Sequence, residues 1–138
     1  MEISKNKEKY NRIIGIMYSD ANAVAMVDYP GNYAKCVGTF TELQFSEANF
    51  TESNVENGAP VDQQLDIIVR GQSEESDNEI LSIVGKYLVL KLIYLNDKAK
   101  LLGTPDNPVV FTVTSGGDVI ENTLSVTRIS AEKAKYMI

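Results

Sequence analysis

The densest group of side chains that could do chemistry is the acidic stretch Glu74, Glu75, Asp77 and Glu79. Carboxylates grouped in this way are typical ligands of a hard divalent cation. The same residues also suit the start of a helix, because Ser76 and Glu79 fit a capping box and negative charge stabilises the positive end of the helix dipole. We prefer the capping interpretation, so the sequence predicts no metal site here.

The other residues that support catalysis are largely missing. The chain has no histidine, which removes the usual general base and the commonest metal ligand. Cys36 is the single cysteine, so neither an intramolecular disulfide nor a thiolate zinc site can form. Its neighbours Val37 and Gly38 indicate a small buried residue, and Gly116-Gly117 is interpreted as a turn. We therefore expect no enzyme activity, no metal and no cofactor.

The charge balance limits the partners. Nineteen Asp and Glu residues oppose 13 Lys and Arg, for a net charge of −6. This argues against a nucleic-acid-binding surface, which needs a basic patch, although an acidic wall would let DNA pass without binding. The seven tyrosines are scattered along the sequence and are not expected to form a stacking platform. No apolar run reaches the roughly 20 residues of a membrane span, so no membrane partner is predicted.

The elements that would position these residues are mostly strands. Residues 88–95 are apolar on both faces of a strand apart from Lys91, which is typical of a central strand covered on both sides. A short helix before it would bury Ile80, Leu81, Ile83 and Val84 and end at Gly85. The sequence predicts one domain over residues 1–138, mainly β (α+β). We expect an antiparallel β-sandwich or barrel with one short flanking helix.

Turn signals divide the rest of the chain into further strands. Turns are predicted at residues 30–32, 57–58, 96–98, 103–108 and 115–118. Strands are predicted at residues 13–18, 23–27, 36–45, 64–70, 100–102, 109–114 and 119–127. Residues 130–138 are predicted to be a short helix or an extended tail, and residues 1–12 a possible arm that lies on a neighbouring subunit or a solvated leader.

Residues 43–70 are predicted to form a long projecting hairpin with its tip near residues 55–60. Asn57-Gly58 is the best turn dipeptide in the chain. The hairpin is acidic and carries aromatic side chains, so it would offer strand edges and anchors to another chain. We expect it to be a subunit interface, with these residues at the contact: Phe45, Phe50, Val55, Asn57, Gly58 and Val61.

The order of these signals resembles a known group of proteins. The matching features are Phe45-Ser46-Glu47, Glu52, Asn57-Gly58, a strand that ends at Gly71, the short helix, Gly85-Lys86 with the β-run, the run 101–105 (Leu-Leu-Gly-Thr-Pro), and Pro108-Val109. Together they cover about residues 40–113. They resemble small tail-tube-like virion proteins of phages and prophages of Bacteroides-type bacteria.

The resemblance implies a structural protein of the phage tail, made in the cytoplasm of a host bacterium. Six copies would form a ring, rings would stack, and strands would pair across subunits around a channel. The partners would be further copies of the chain and other tail or connector proteins, with DNA as unbound cargo in the lumen. A head–tail connector or tail-terminator ring shares much of this plan. A monomeric bacterial β-domain that binds a small ligand or protein remains an alternative of a different class.

Overall fold

The structure is a computed structural model that describes residues 12–53, 60–70, 74–115, 121–130 and 134–137, apart from the side chain of Ser76. These residues form the strands β1 Ile13–Asp20, β2 Ala25–Tyr29, β3 Tyr33–Val37, β4 Thr41–Glu42, β5 Glu47–Ser53, β6 Val61–Arg70, β7 Leu88–Tyr94, β8 Ala99–Leu102, β9 Thr112–Ser115, β10 Glu121–Ser130 and β11 Lys135–Met137, together with the helix α1 Glu74–Ile83 and a 3-10 turn at Ala21–Ala23. The predicted mainly β class with one short helix is confirmed.

The chain divides into two compact units. The first contains β1–β4, β7, β8 and β11, and the second contains β5, β6, α1, β9 and β10. Each unit has one sheet, and among the described strands both sheets are open at their edges, so neither is a closed barrel. The prediction of a single domain stays a prediction.

The first unit is built on a seven-stranded sheet in the order β2-β3-β11-β8-β7-β1-β4, which we call sheet A. The predicted central strand is confirmed, because β7 lies between β8 and β1 and pairs antiparallel with both. Leu90 and Leu92 are buried on one face and Val89 on the other. The turn at Asn96-Asp97-Lys98 is also confirmed, with the amide of Asp97 donating to the carbonyl of Tyr94 at 3.0 Å.

The second unit is built on a four-stranded antiparallel sheet in the order β5-β6-β10-β9, which we call sheet B. One face of this sheet is apolar, and the predicted inward residues Leu65, Ile67 and Val69 are buried there with Leu124 and Val126. This alternation of buried and exposed residues along β6 is the pattern expected of a sheet with one covered face.

The predicted strand over residues 36–45 is wrong. The chain instead leaves β3 at Val37 and forms the short strand β4 at Thr41–Glu42, which pairs with β1. Between these strands Gly38 lies so close to Val24 that a Cβ atom would be 2.6 Å from Cγ1 of Val24. The alternation of residues 36–45 suits a strand, but it does not reveal this close approach of two chain segments.

Among the described residues of the C-terminal segment, the chain is extended rather than helical, and it lies inside a sheet. Residues Lys135–Met137 form β11, which lies inside sheet A between β3 and β8. It pairs parallel with β3 and antiparallel with β8. The amide of Tyr136 also donates to the carbonyl of Asn32 at 2.9 Å, which fixes the strand beside the turn between β2 and β3.

The helix α1 starts at Glu74, before the predicted cap Ser76, which therefore lies inside the helix. Its acidic first turn and its end before Gly85 agree with the sequence, since Gly85 has a positive φ of 80°. Ile80 and Ile83 are buried, whereas Leu81 is 71% exposed. The predicted apolar side of the helix is therefore narrower than the sequence indicates.

The hairpin of β5 and β6 forms, but its described strands do not project from the sheet. All of β5 pairs with β6, and β10 pairs with β6 along the full length from Val61 to Arg70. The predicted tip lies largely in residues 54–59, outside the described residues.

Candidate functional site

The predicted interface residues are found in different environments. Phe45 and Phe50 are half-buried, and Val61 is only 4% exposed. Phe50 lies on the apolar face of sheet B opposite Leu65. Val55, Asn57 and Gly58 lie outside the described residues. Their contact with a second copy stays a prediction, but Val61 offers almost no surface from its position in β6.

The edges of sheet B are the clearest unused pairing surface in the second unit. Among the described strands, β5 pairs only with β6 and β9 pairs only with β10. Every residue of β9 is exposed, and β5 alternates between exposed and half-buried positions. An unpaired edge strand presents backbone N–H and C=O groups that another chain can pair with.

The outward face of sheet B is mostly polar, although Ile68 and the 64% exposed Ile129 also lie on it. Its acidic side chains are Glu47, Asp62, Asp66 and Glu121, and hydroxyl groups from β5, β9 and β10 lie among them. Arg70 forms ion pairs with Glu47 at 3.0 Å and with Glu121 at 3.6 Å. These partners raise the pKa of the Arg70 guanidinium, chiefly through the hydrogen bond that Arg70 donates to the Glu47 carboxylate.

Hydrogen bonds connect the middle of this polar face. The Asp66 carboxylate accepts hydrogen bonds from the Ser125 hydroxyl and from the side-chain amide of Gln64, both at 3.0 Å. Thr127 donates its hydroxyl to Gln64. Apart from Ile68 and Ile129, the face is therefore an ordered hydrophilic surface that carries an excess of negative charge.

A polar bridge crosses the opposite, covered face of sheet B. Gln63 is 2% exposed; its amide nitrogen donates to Glu52 at 2.9 Å and its amide oxygen accepts from Arg128. Burial lowers the pKa of the Arg128 guanidinium, an effect that Glu52 opposes. The bridge satisfies Gln63 and ties β5, β6 and β10 together, so its role is structural.

A second site, which the sequence did not predict, lies in the first unit. A groove of about 460 Å³ is lined by Tyr33, Lys91, Ile93, Asp97, Lys98, Ala99, Tyr136 and Met137. The ring centroids of Tyr33 and Tyr136 lie 6.1 Å apart. The ammonium groups of Lys98 and Lys100 lie 5.7 Å and 5.0 Å from the centroid of the Tyr136 ring. Such distances allow cation–π attraction.

The prediction that the tyrosines form no stacking platform stays a prediction, although Tyr33 and Tyr136 lie close together on this surface. Tyr29 and Tyr33 are opposite each other across the turn at Pro30-Gly31-Asn32, a pairing that the turn signal alone could have suggested. Tyr136 lies beside Tyr33 because β11 is inserted into sheet A next to β3. The sequence gives little indication that the C-terminal residues form a strand at this position.

Cys36 is buried as predicted, at 7% exposure. It packs with Ala34 and Leu101, and Met26 and Met137 lie against this cluster. Burial raises the pKa of the Cys36 thiol, while the charge of Lys91 acts in the opposite direction. Its surroundings are those of a core residue rather than of a nucleophile.

Within the part of the chain that the structure describes, no group of three or more cysteine, aspartate or glutamate side chains is arranged to hold a metal ion. None of the helices in those ranges combines the length and apolar character needed to cross a bilayer. No family profile, curated protein or solved structure matches the chain.

Proposed function

We propose that the chain is a non-enzymatic structural subunit that assembles edge to edge into rings, as in the tube of a phage tail. The open, four-stranded sheet B is the observation that carries this proposal. The resemblance seen in the sequence supplies the biological setting, a virion whose tail conducts DNA.

The geometry of sheet B suits closure by rotation. All of its neighbouring strands are antiparallel and its strand number is even, so β5 and β9 run in opposite directions. A copy rotated about an axis along the strands would place its β5 antiparallel to β9 of the preceding copy. Repeating this head-to-tail contact gives either a closed ring or an open helix.

The polar face of sheet B suits the inside of such a ring. Glu47, Asp62, Asp66 and Glu121 on this face would make the channel wall negative. Such a wall repels the phosphate backbone and releases no counterions, so DNA would pass without binding.

Light scattering after size-exclusion chromatography, with negative-stain microscopy, tests this proposal. We expect rings or stacked tubes whose mass is a multiple of 15.2 kDa. A protein that stays at the monomer mass at all concentrations would contradict ring assembly. It would favour the alternative function, a monomeric β-domain that binds a small ligand or protein.

Edge variants test which strands make the contact. Val113 and Thr114 are consecutive residues of the edge strand β9, so the backbone N–H of one points towards β10 and that of the other points away from the sheet. Proline removes the N–H at the position it occupies, so we compare Val113→Pro with Thr114→Pro. The variant that keeps the parental circular dichroism spectrum and unfolding midpoint is the informative one, and we expect it to remain monomeric. If it assembles like the parent, β9 is not an assembly edge.

A connector or terminator ring would use the same edges. Microscopy separates the two, because a tube protein forms stacks of many rings whereas a connector or terminator forms single rings.

A further inference from the structure

The groove of the first unit combines groups that bind different parts of one small molecule. The turn between β7 and β8 supplies Asp97 and Lys98, and the strands supply Lys91, Tyr33 and Tyr136. Its volume of about 460 Å³ falls within the range of sites for small ligands. Its apolar surface comes from Ile93, Ala99 and Met137.

The groove carries a small excess of positive charge, because Lys91 and Lys98 line it beside one acidic residue, Asp97. Among the ion pairs of the described residues, none involves Lys91 or Lys98. This local excess is notable on a chain whose net charge is −6. An anionic group would therefore be attracted to this groove and repelled from the acidic face of sheet B.

The aromatic side chains provide a complementary surface for a planar ring. Tyr33 is 48% exposed, so part of its ring is available for stacking. Tyr136 is half-buried and lies beside Lys98 and Lys100, which fixes the cations next to the aromatic pair. Aromatic side chains next to cations bind nucleotides through stacking on the base and attraction to the phosphate.

We propose that this groove binds one nucleotide unit. The base would stack on Tyr33, the phosphate would lie against Lys98, and the Asp97 carboxylate would accept hydrogen bonds from sugar or base donors. The unit could come from a free nucleotide or from an unpaired DNA strand. The proposal concerns the first unit alone and does not rest on ring assembly.

Titration calorimetry and ligand-observed NMR test the groove with AMP, adenosine and inorganic phosphate as probes. We expect AMP to bind about tenfold more tightly than adenosine, since only AMP engages both Tyr33 and Lys98. Lys98→Ala should reduce the affinity for AMP to that for adenosine and leave adenosine binding unchanged. Tyr33→Ala should weaken the binding of both.

Matched controls come from an exposed pair in the other unit. Tyr87→Ala and Lys86→Ala remove the same side-chain types at exposed positions, so AMP binding should not change.

A short deoxyadenosine oligonucleotide distinguishes the two sources of the ligand. Tighter binding than AMP indicates a DNA strand, and equal or weaker binding indicates a free nucleotide.

Three results would overturn the proposal. The first is no saturable binding of either AMP or the oligonucleotide to the parent protein. The second is binding that survives both Tyr33→Ala and Lys98→Ala in variants with parental circular dichroism. The third is an equal loss of affinity in the control variants. Because none of these measurements depends on particle size, they are separate from the test of ring assembly.

Discussion

At the residue scale, burial decides which leucines stabilise the fold. Leu92 is fully buried in β7, so Leu92→Ala should lower the free energy of unfolding by roughly 2–5 kcal/mol. Leu81→Ala is the control, because Leu81 is exposed on α1 and its loss should cost about 0.5 kcal/mol or less. Urea denaturation measures both, and a loss below about 1 kcal/mol at Leu92 would contradict its place in the core.

This pair of leucines also shows what sequence patterns can predict. The unbroken apolar run of β7 identifies Leu92 as buried, because a strand covered on both sides leaves no alternative position for it. The apolar residues near Leu81 fit helical spacing, yet spacing alone does not show how wide the covered stripe of α1 is. The width depends on what packs against the helix, which is a tertiary property.

Cys36 predicts a pH dependence of stability. Burial raises the pKa of its thiol in the folded state, so the unfolded chain releases this proton at lower pH than the folded chain. The stabilisation is complete below the unfolded thiol pKa of about 8.5 and is lost as pH rises through the folded pKa. Between pH 7 and 10, the unfolding free energy of Cys36→Ala should therefore fall less steeply with pH than that of the parent protein. Equal slopes for the two proteins would contradict this prediction.

At the element scale, Gly38 marks the point where one predicted strand is divided. Its missing side chain allows β3 to end against Val24 and the carbonyl of Ala23. Gly38→Ala should destabilise the protein by about 1–3 kcal/mol, the usual cost of overpacking. Thermal unfolding of Gly38→Ala and of the double variant with Val24→Ala tests this, since the second change should restore part of the loss.

The hairpin and β11 mark the limits of element prediction. The hairpin prediction implies both β5 and β6, but local alternation identified inward residues only in β6, namely Leu65, Ile67 and Val69. That β10 pairs with all of β6 was not predictable, because the pairing joins residues far apart in sequence. The position of β11 inside sheet A was not predictable either, because a strand of three residues is too short to show a clear alternation of buried and exposed side chains.

The hairpin tip gives a second prediction at this scale. Replacing residues 54–59 by Asn-Gly should leave unfolding nearly unchanged, because β6 is held by β10 on its other side. If the tip contacts a neighbouring ring, the shortened protein should form single rings but no tubes in electron micrographs. Tubes of parental length would show that the tip is not needed for stacking.

At the scale of the whole molecule, the distribution of charge connects the fold to the proposed channel. Asp62 and Thr51 are exposed on the polar face of sheet B, which would form the channel wall. Asp62→Lys with Thr51→Lys makes that wall more positive, and added lysines near DNA strengthen binding through counterion release. Assembled tubes of this variant should retain double-stranded DNA at low salt and release it as salt rises, whereas parental tubes should not bind it.

The matched control places the same change in charge on α1. Glu74→Lys with Asn78→Lys changes two exposed positions of α1, which we place outside the channel. Losing the negative charge of Glu74 near the positive end of the helix dipole should lower the stability by about 0.3–1 kcal/mol. Virions with the control change should keep parental infectivity and DNA ejection, and virions with the channel change should eject DNA slowly. Slow ejection from the control at normal tail length would place α1 in the channel and exclude the polar face of sheet B as its wall.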